Sequence, residues 1–323
     1  MSKYKMFGFI LKTFTLLSFL ALKPIKTFPI YERITMVELD TIENTDTSTY
    51  TSTLTTTYGT TSRNTDSLPL VVLHGIESSS REIDPLCDWL ELTFNVDVYN
   101  IEIGNGKKTS LYTSLHDQLD ELCLSIYEMD ELSEGFDFIG ISQGGLLARG
   151  YVERCNSYPV RNLITFVAPH GGVFWPSTKN SGLMYNDFFQ NHLSIAGYWR
   201  NPNMLETYLS SCSYLPLLNN EFWCNEESPI HRRNIQNLSN FVMVWSPVDT
   251  ILEPPESGKF SFFDEDFEVV PLQETNLYKN DSLGLKFLNY LGRLHTFETN
   301  CSHVDHRNPE CFSQIYDILK RFL

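Results

Sequence analysis

Around Ser142 the chain reads Gly140-Ile141-Ser142-Gln143-Gly144, a serine flanked by glycines at the spacing G-x-S-x-G. The run before it, "FDFIGIS", is apolar and reads as a strand; the small and apolar run after it, "GGLLARG", reads as a helix. A serine on so sharp a strand-to-helix turn has a strained backbone. Side chains two positions to either side of it would collide with the neighbouring strand and helix, so glycine at 140 and 144 suits an exposed nucleophile.

A hydroxyl attacks a carbonyl only when a base takes its proton, and the base needs an acid to orient it. On a doubly wound sheet these groups follow in the order Ser, Asp or Glu, His, each on a loop after a strand. The late strand "NFVMVWSPVD" ends in such a loop, with Asp249 as its first carboxylate and Glu253 and Asp264 as alternatives. Between the last strand and the last helix, "NCSHVDH" offers His303 and His306, of which His303 is nearer the strand end. His295 falls inside the strand run and reads as a packing residue. Acyl transfer also needs donors for an oxyanion, worth about 3 kcal/mol each. The backbone N–H groups of Gln143 and Ile76 are the candidates, the second within "VVLHGIESSS", where Gly75 permits a tight turn and His74 holds the loop.

The elements that must position these residues alternate along the chain. "LPLVVLHG", "FNVDVYNIEIG", "FDFIGIS", "LITFVAPHGG", "NFVMVWSPVD" and "GRLHTFET" are predicted strands. Helical spacing of apolar residues lies between several of them, as in "SLHDQLDELCLSIYEM", and "PECFSQIYDILKRFL" reads as a closing helix. Such alternation predicts an α/β domain, a mostly parallel sheet with helices on both faces. Between about 172 and 236 the rhythm breaks into an aromatic-rich stretch too long for a simple crossover, read as a mainly helical insertion. Its aromatics either line an apolar pocket or pack the insertion onto the body.

The 323 residues carry a net charge of −16 with 42% hydrophobic residues, which supplies a large core and no basic surface for a nucleic-acid partner. Lys3 and Lys5 precede a short apolar run, so residues 1–28 read as a secretory signal whose cleavage point is open. That run is too short to span a bilayer, and no stable membrane span is expected after cleavage. Residues 29–66 form a spacer dominated by Thr and Ser, and the folded domain is expected over 67–323. Sequons at Asn237, Asn280 and Asn300 are glycan acceptors if the chain enters the secretory pathway. None of the seven cysteines forms a C-x-x-C pair, which removes the usual zinc and thioredoxin readings.

Over roughly residues 67 to 323 the chain resembles the palmitoyl-protein thioesterase family, lysosomal serine hydrolases of the α/β-hydrolase fold. The resemblance rests on "LVVLHGI", "GISQGGLLARGYVERC", "LITFVAPHGGVF", "GYWRNP" and, most specifically, "PLQETNLYKNDSLGLK". It implies a triad of Ser142, Asp249 and His303, oxyanion donors at Ile76 and Gln143, and no metal or cofactor. It implies S-acylated proteins or peptides, or acyl-CoA, as substrate, and a lysosomal or secreted destination. It also suggests a Cys123–Cys155 disulfide. Cys212–Cys224 and Cys301–Cys311 are proposed from proximity in sequence, leaving Cys87 free. Ser78 and Ser79 stand where one branch of the family has paired cysteines. A lipase or carboxylesterase acting on oxygen esters, and an inactive lipid-binding hydrolase fold, are the competing readings. A membrane-anchored protein with a mucin-like stalk leaves the triad unexplained.

Overall fold

A computed structural model describes residues 67–178, 180–221 and 228–323. The signal read over 1–28, the spacer read over 29–66 and Cys224 lie outside them.

The six predicted strand runs supply β1 (Leu70–Leu73), β2 (Val98–Ile101), β3 (Phe136–Ile141), β4 (Val160–Phe166), β5 (Asn240–Trp245) and, after a separate antiparallel pair β6 (Phe262–Phe263) and β7 (Val269–Val270), β8 (Leu294–Glu298). The sheet runs β2-β1-β3-β4-β5-β8, and every neighbouring pair in it is parallel. All residues of β1 and β3 are buried, as expected for central strands covered on both faces. The strand order reverses direction between β1 and β3, so the loops at their carboxyl ends flank the crevice where such sheets bind ligands.

The helices follow from this order. Right-handed crossovers place the β1–β2 connection, α1 (Ser80–Phe94), on one face of the sheet. They place the β2–β3 and β3–β4 connections, α2 (Leu115–Tyr127) and α3 (Gln143–Gly150), on the other. The first two bury a stripe at helical spacing, Ile83, Leu86, Cys87 and Leu90 on α1 and Leu115, Leu119, Leu122 and Ile126 on α2, whereas α3 is buried on every side. After α4 (Ser228–Gln236), the closing helix α5 (Pro309–Leu319) packs against α1, with the Trp89 and Phe312 rings stacked at 4.5 Å.

Cys123 of α2 is bonded to Cys155, just beyond α3, across a Cα separation of 6.0 Å. Cys301 is bonded to Cys311 of α5 at 5.9 Å, tying the loop after β8 to the closing helix. Cys87 and Cys212 are buried thiols. The Cys212 Sγ donates to Gly197 O at 3.2 Å, and burial pushes its thiol up to about 12; the partner expected for it, Cys224, is outside the described residues.

Between 172 and 236 the chain forms short helical pieces, including Asp187–His192, Leu205–Ser211 and Leu215–Leu218, with 3-10 turns among them. Among the described residues, several of its aromatics pack inward. Trp199 is fully buried against Phe174 and Trp175, at 5.4 and 5.3 Å between rings, and the Tyr214 hydroxyl donates to Leu146 O of α3. Burying a ring of this size removes about 150–250 Å² from water, on the order of 4 kcal/mol at about 25 cal/mol per Å². That is reason enough for the aromatic content without a ligand.

Candidate active site

Ser142 sits between β3 and α3 with φ 55° and ψ −125°, a left-handed conformation that costs a non-glycine residue about 1–3 kcal/mol. The turn is held by Ser142 N–H donating to Phe166 O at 2.8 Å and Gly145 N–H donating to Ser142 O at 2.9 Å. The flanking glycines are sterically required. A Cβ at Gly140 would lie 2.5 Å from Gly144 O, and one at Gly144 would lie 2.4 Å from His74 O at the end of β1.

A third glycine has a different reason from the one its sequence suggests. Gly75 is not in the left-handed region; Glu77 takes that conformation, with φ 52°. A Cβ at Gly75 would stand 2.9 Å from the Ser142 Cβ. The loop after β1 therefore needs glycine for close approach to the serine rather than for a tight turn.

Asp249 and His303 follow β5 and β8, so all three side chains gather at the carboxyl ends of parallel strands. His303 Nδ1 lies 2.6 Å from Asp249 Oδ2, and its Nε2 lies 2.9 Å from Ser142 Oγ. A carboxylate only accepts, so Nδ1 carries the proton and Nε2 is free to accept from the hydroxyl. The Asp249 carboxylate is fixed from its other side, where Oδ1 accepts from Ile251 N–H at 2.7 Å and Leu252 N–H at 3.0 Å. In this geometry His303 can take a proton from Ser142 as the oxygen attacks.

The alternative residues have other work. Asp264 is exposed and accepts from its own turn at Asp266 and Glu268. His306 is fully buried, with Nδ1 2.9 Å from Ser302 O and Nε2 2.8 Å from Thr299 Oγ1. Burial, with His303 close by, lowers its pKa and favours its neutral form. His295 lies on β8 with Nε2 2.9 Å from Asn240 Oδ1.

As the first residue of α3, Gln143 carries a main-chain amide that the helix cannot satisfy. Its side chain is buried, donating from Nε2 to Ser110 O at 2.8 Å and accepting at Oε1 from the Tyr198 hydroxyl at 3.2 Å. This anchor was not foreseen; the only hint of it is that Tyr198 belongs to "GYWRNP". His74 holds the opposite loop, with Nδ1 2.9 Å from Gly75 O and Nε2 2.7 Å from Glu102 Oε1. Glu102 Oε2 also accepts from the Ser80 amide and hydroxyl, each at 2.9 Å.

Arg149 at the end of α3 and Glu153 in the turn that follows are both fully buried, with Nε and Oε1 3.6 Å apart. Desolvation raises the Glu153 pKa from 4.5 to about 8 despite Arg149 and Arg154. A carboxyl group with a raised folded-state pKa contributes most stability below 4.5 and loses it as pH climbs from there to about 8. Half-buried His116 and buried His170 and His306, with lowered pKa values, act in the opposite sense below 6.5. The contribution is therefore isolated by difference. Between pH 5 and pH 8 the unfolding free energy of Glu153→Gln is expected to gain on that of the wild type by on the order of 3 kcal/mol. Urea unfolding at the two pH values measures it, and parallel pH dependence in the two proteins would refute it.

A cavity of about 830 Å³ is lined by Arg200, Asn219, Phe262, Thr275, Leu277 and neighbours, several of them from "PLQETNLYKNDSLGLK". None of Ser142, Asp249 and His303 is among the described residues on its wall. The asparagines of all three sequons, Asn237, Asn280 and Asn300, are exposed. Among the described residues no helix is long and apolar enough to cross a membrane.

Several known proteins are similar to this chain in sequence. A family model described as palmitoyl protein thioesterase matches residues 69–303. Palmitoyl-protein thioesterase 3 of Dictyostelium discoideum is 34% identical over 249 residues, covering 74% of this chain and 86% of its own length. Palmitoyl-protein thioesterase 1 of Caenorhabditis elegans is 30% identical over 265 residues, covering 74% and 87%. The lysosomal thioesterase PPT2 homolog of Drosophila melanogaster is 29% identical over 241 residues, covering 70% and 82%. Among solved structures, a monoacylglycerol lipase of Paleococcus ferrophilus is 16% identical with a TM-score of 0.47, over 78% of this chain and 94% of that one. The sequence matches carry the assignment: this chain belongs to the palmitoyl protein thioesterase family.

Proposed function

We propose that the protein is a serine thioesterase that removes long-chain acyl groups, palmitoyl above all, from S-acylated proteins or peptides or from acyl-CoA. The observation that carries this reading is the unbroken Ser142–His303–Asp249 hydrogen-bond chain, in a sequence of this family. His303 accepts the Ser142 proton as Oγ attacks the thioester carbonyl, and Asp249 stabilises the imidazolium that forms. The amides of Ile76 and Gln143 receive the oxyanion. The thiol departs, and water activated by His303 then cleaves the acyl-enzyme to free acid and serine. A thiolate leaves readily, so the mechanism depends less on protonating the leaving group than an amidase does. Preference for long chains follows from burial, at about 0.8 kcal/mol per methylene. The family and the lysosomal thioesterase of Drosophila favour a lysosomal site of action.

Palmitoyl-CoA, an S-palmitoylated peptide and matched oxygen esters of palmitate separate this from a lipase. The thioesters are expected to show at least about tenfold higher kcat/KM. Faster cleavage of the oxygen esters would make the protein an esterase.

A further inference from the structure

We propose that Arg307 is a positioning residue that couples the loop bearing the base to the loop bearing the oxyanion donor. The proposal rests on the Ser142 reading above. Arg307 ends the 3-10 turn that begins at His303, and Ser78 lies two residues beyond Ile76. The Arg307 Nη1 donates to Ser78 Oγ at 2.7 Å and to Glu82 Oε2 at 3.2 Å. Buried Ser78 in turn donates its hydroxyl proton to the same Glu82 oxygen at 3.1 Å. Lys107 pairs with the other Glu82 oxygen. A guanidinium, a hydroxyl, a carboxylate and an ammonium thus join two loops whose linked residues are 229 apart in sequence.

The link has the chemistry of a positioning device rather than of a stabilising core. Partial burial opposes ionisation of Glu82, but Lys107, Arg307 and Ser78 outweigh it and hold the carboxyl below its ordinary range. The Arg307 and Glu82 side chains remain 27% and 31% exposed, so the ion pair itself adds little to folding. What it fixes is orientation. Glu102 grips the base of the oxyanion loop through His74 and Ser80, and Arg307 grips its far side through Ser78. Ile76 lies between these two grips, and an amide helps an oxyanion only if it is held in place before the reaction begins. Ser78 both accepts from Arg307 and donates to Glu82, so one hydroxyl closes the link between the two loops.

The test uses the whole chain carrying Arg307→Gln, Ser78→Ala, both together, or Arg307→Lys. Two rates are read, turnover of palmitoyl-CoA and labelling of Ser142 by a fluorophosphonate, with Tm as a folding control. Arg307→Gln and Ser78→Ala are each expected to lower kcat and the labelling rate about tenfold while KM stays within about threefold. The double variant is expected to be no slower than the slower single, because both changes break one link. Arg307→Lys, which keeps a cationic donor, restores part of the rate. Wild-type rates in Arg307→Gln overturn the proposal, as do single effects that multiply in the double variant or rate losses that track Tm alone. Labelling needs no acyl substrate. A wild type that labels but does not turn over palmitoyl-CoA therefore removes the substrate assignment and leaves the coupling decided by labelling rates. A wild type that does not label overturns the Ser142 reading and the coupling with it.

Discussion

Ser142→Ala is expected to lower kcat on a palmitoyl thioester by at least about 10⁴-fold, and His303→Ala by a similar factor, with the double variant no slower than either alone. The non-additivity follows from the geometry. Ser142 Oγ and His303 Nε2 share one hydrogen bond of 2.9 Å, and neither group does its chemistry without the other. A residual rate remains from substrate binding and the oxyanion amides. His306→Ala is the informative contrast. It removes a buried ring that bridges Ser302 and Thr299, so its main effect is expected on Tm, with kcat reduced far less than in His303→Ala. Single-turnover rates and thermal melts of the four variants beside the wild type decide it. If His306→Ala fell as low as His303→Ala with Tm unchanged, the base would have to be reassigned.

The three residues of the proposed triad are legible in sequence because each is tied to a local pattern. A G-x-S-x-G run after an apolar strand has few structural solutions, and the order of strands places the acid and base on particular loops. The two glycines around Ser142 were understood for the right reason, since both meet backbone atoms. Gly75 suggests only a tight turn in sequence, because closeness to Ser142 is a property of two loops 67 positions apart, counted from the numbering. What no local pattern carries is the support around the site. The Gln143 side chain depends on Tyr198 and Ser110, His74 depends on Glu102, and Ser78 depends on Arg307. Each of these pairs joins segments whose proximity exists only after the sheet has assembled. The Arg149–Glu153 pair shows the complementary limit: its i,i+4 spacing is visible in sequence and would ordinarily mark a solvated helix face, yet both side chains are fully buried.

Asp249→Asn is expected to cost about 10⁴-fold in kcat while leaving KM, fold and Tm nearly unchanged, because its effect is on a tautomer. The amides of Ile251 and Leu252 both point at Oδ1, and an asparagine satisfies them only by keeping its carbonyl oxygen there. That fixes the side-chain flip, so the new NH₂ group replaces Oδ2 facing His303 Nδ1. A donor now faces Nδ1, so the ring accepts there and carries its proton on Nε2. An Nε2–H aimed at Ser142 Oγ cannot receive the serine proton, and the nucleophile is lost with every atom of the triad still in place. Asp249→Ala removes the acid without imposing this tautomer and leaves the ring free to reorient, so it is expected to retain more activity than the isosteric change. Steady-state rates and fluorophosphonate labelling of the two variants measure the difference. An asparagine variant that outpaces the alanine variant would mean that Asp249 does not set the proton on His303.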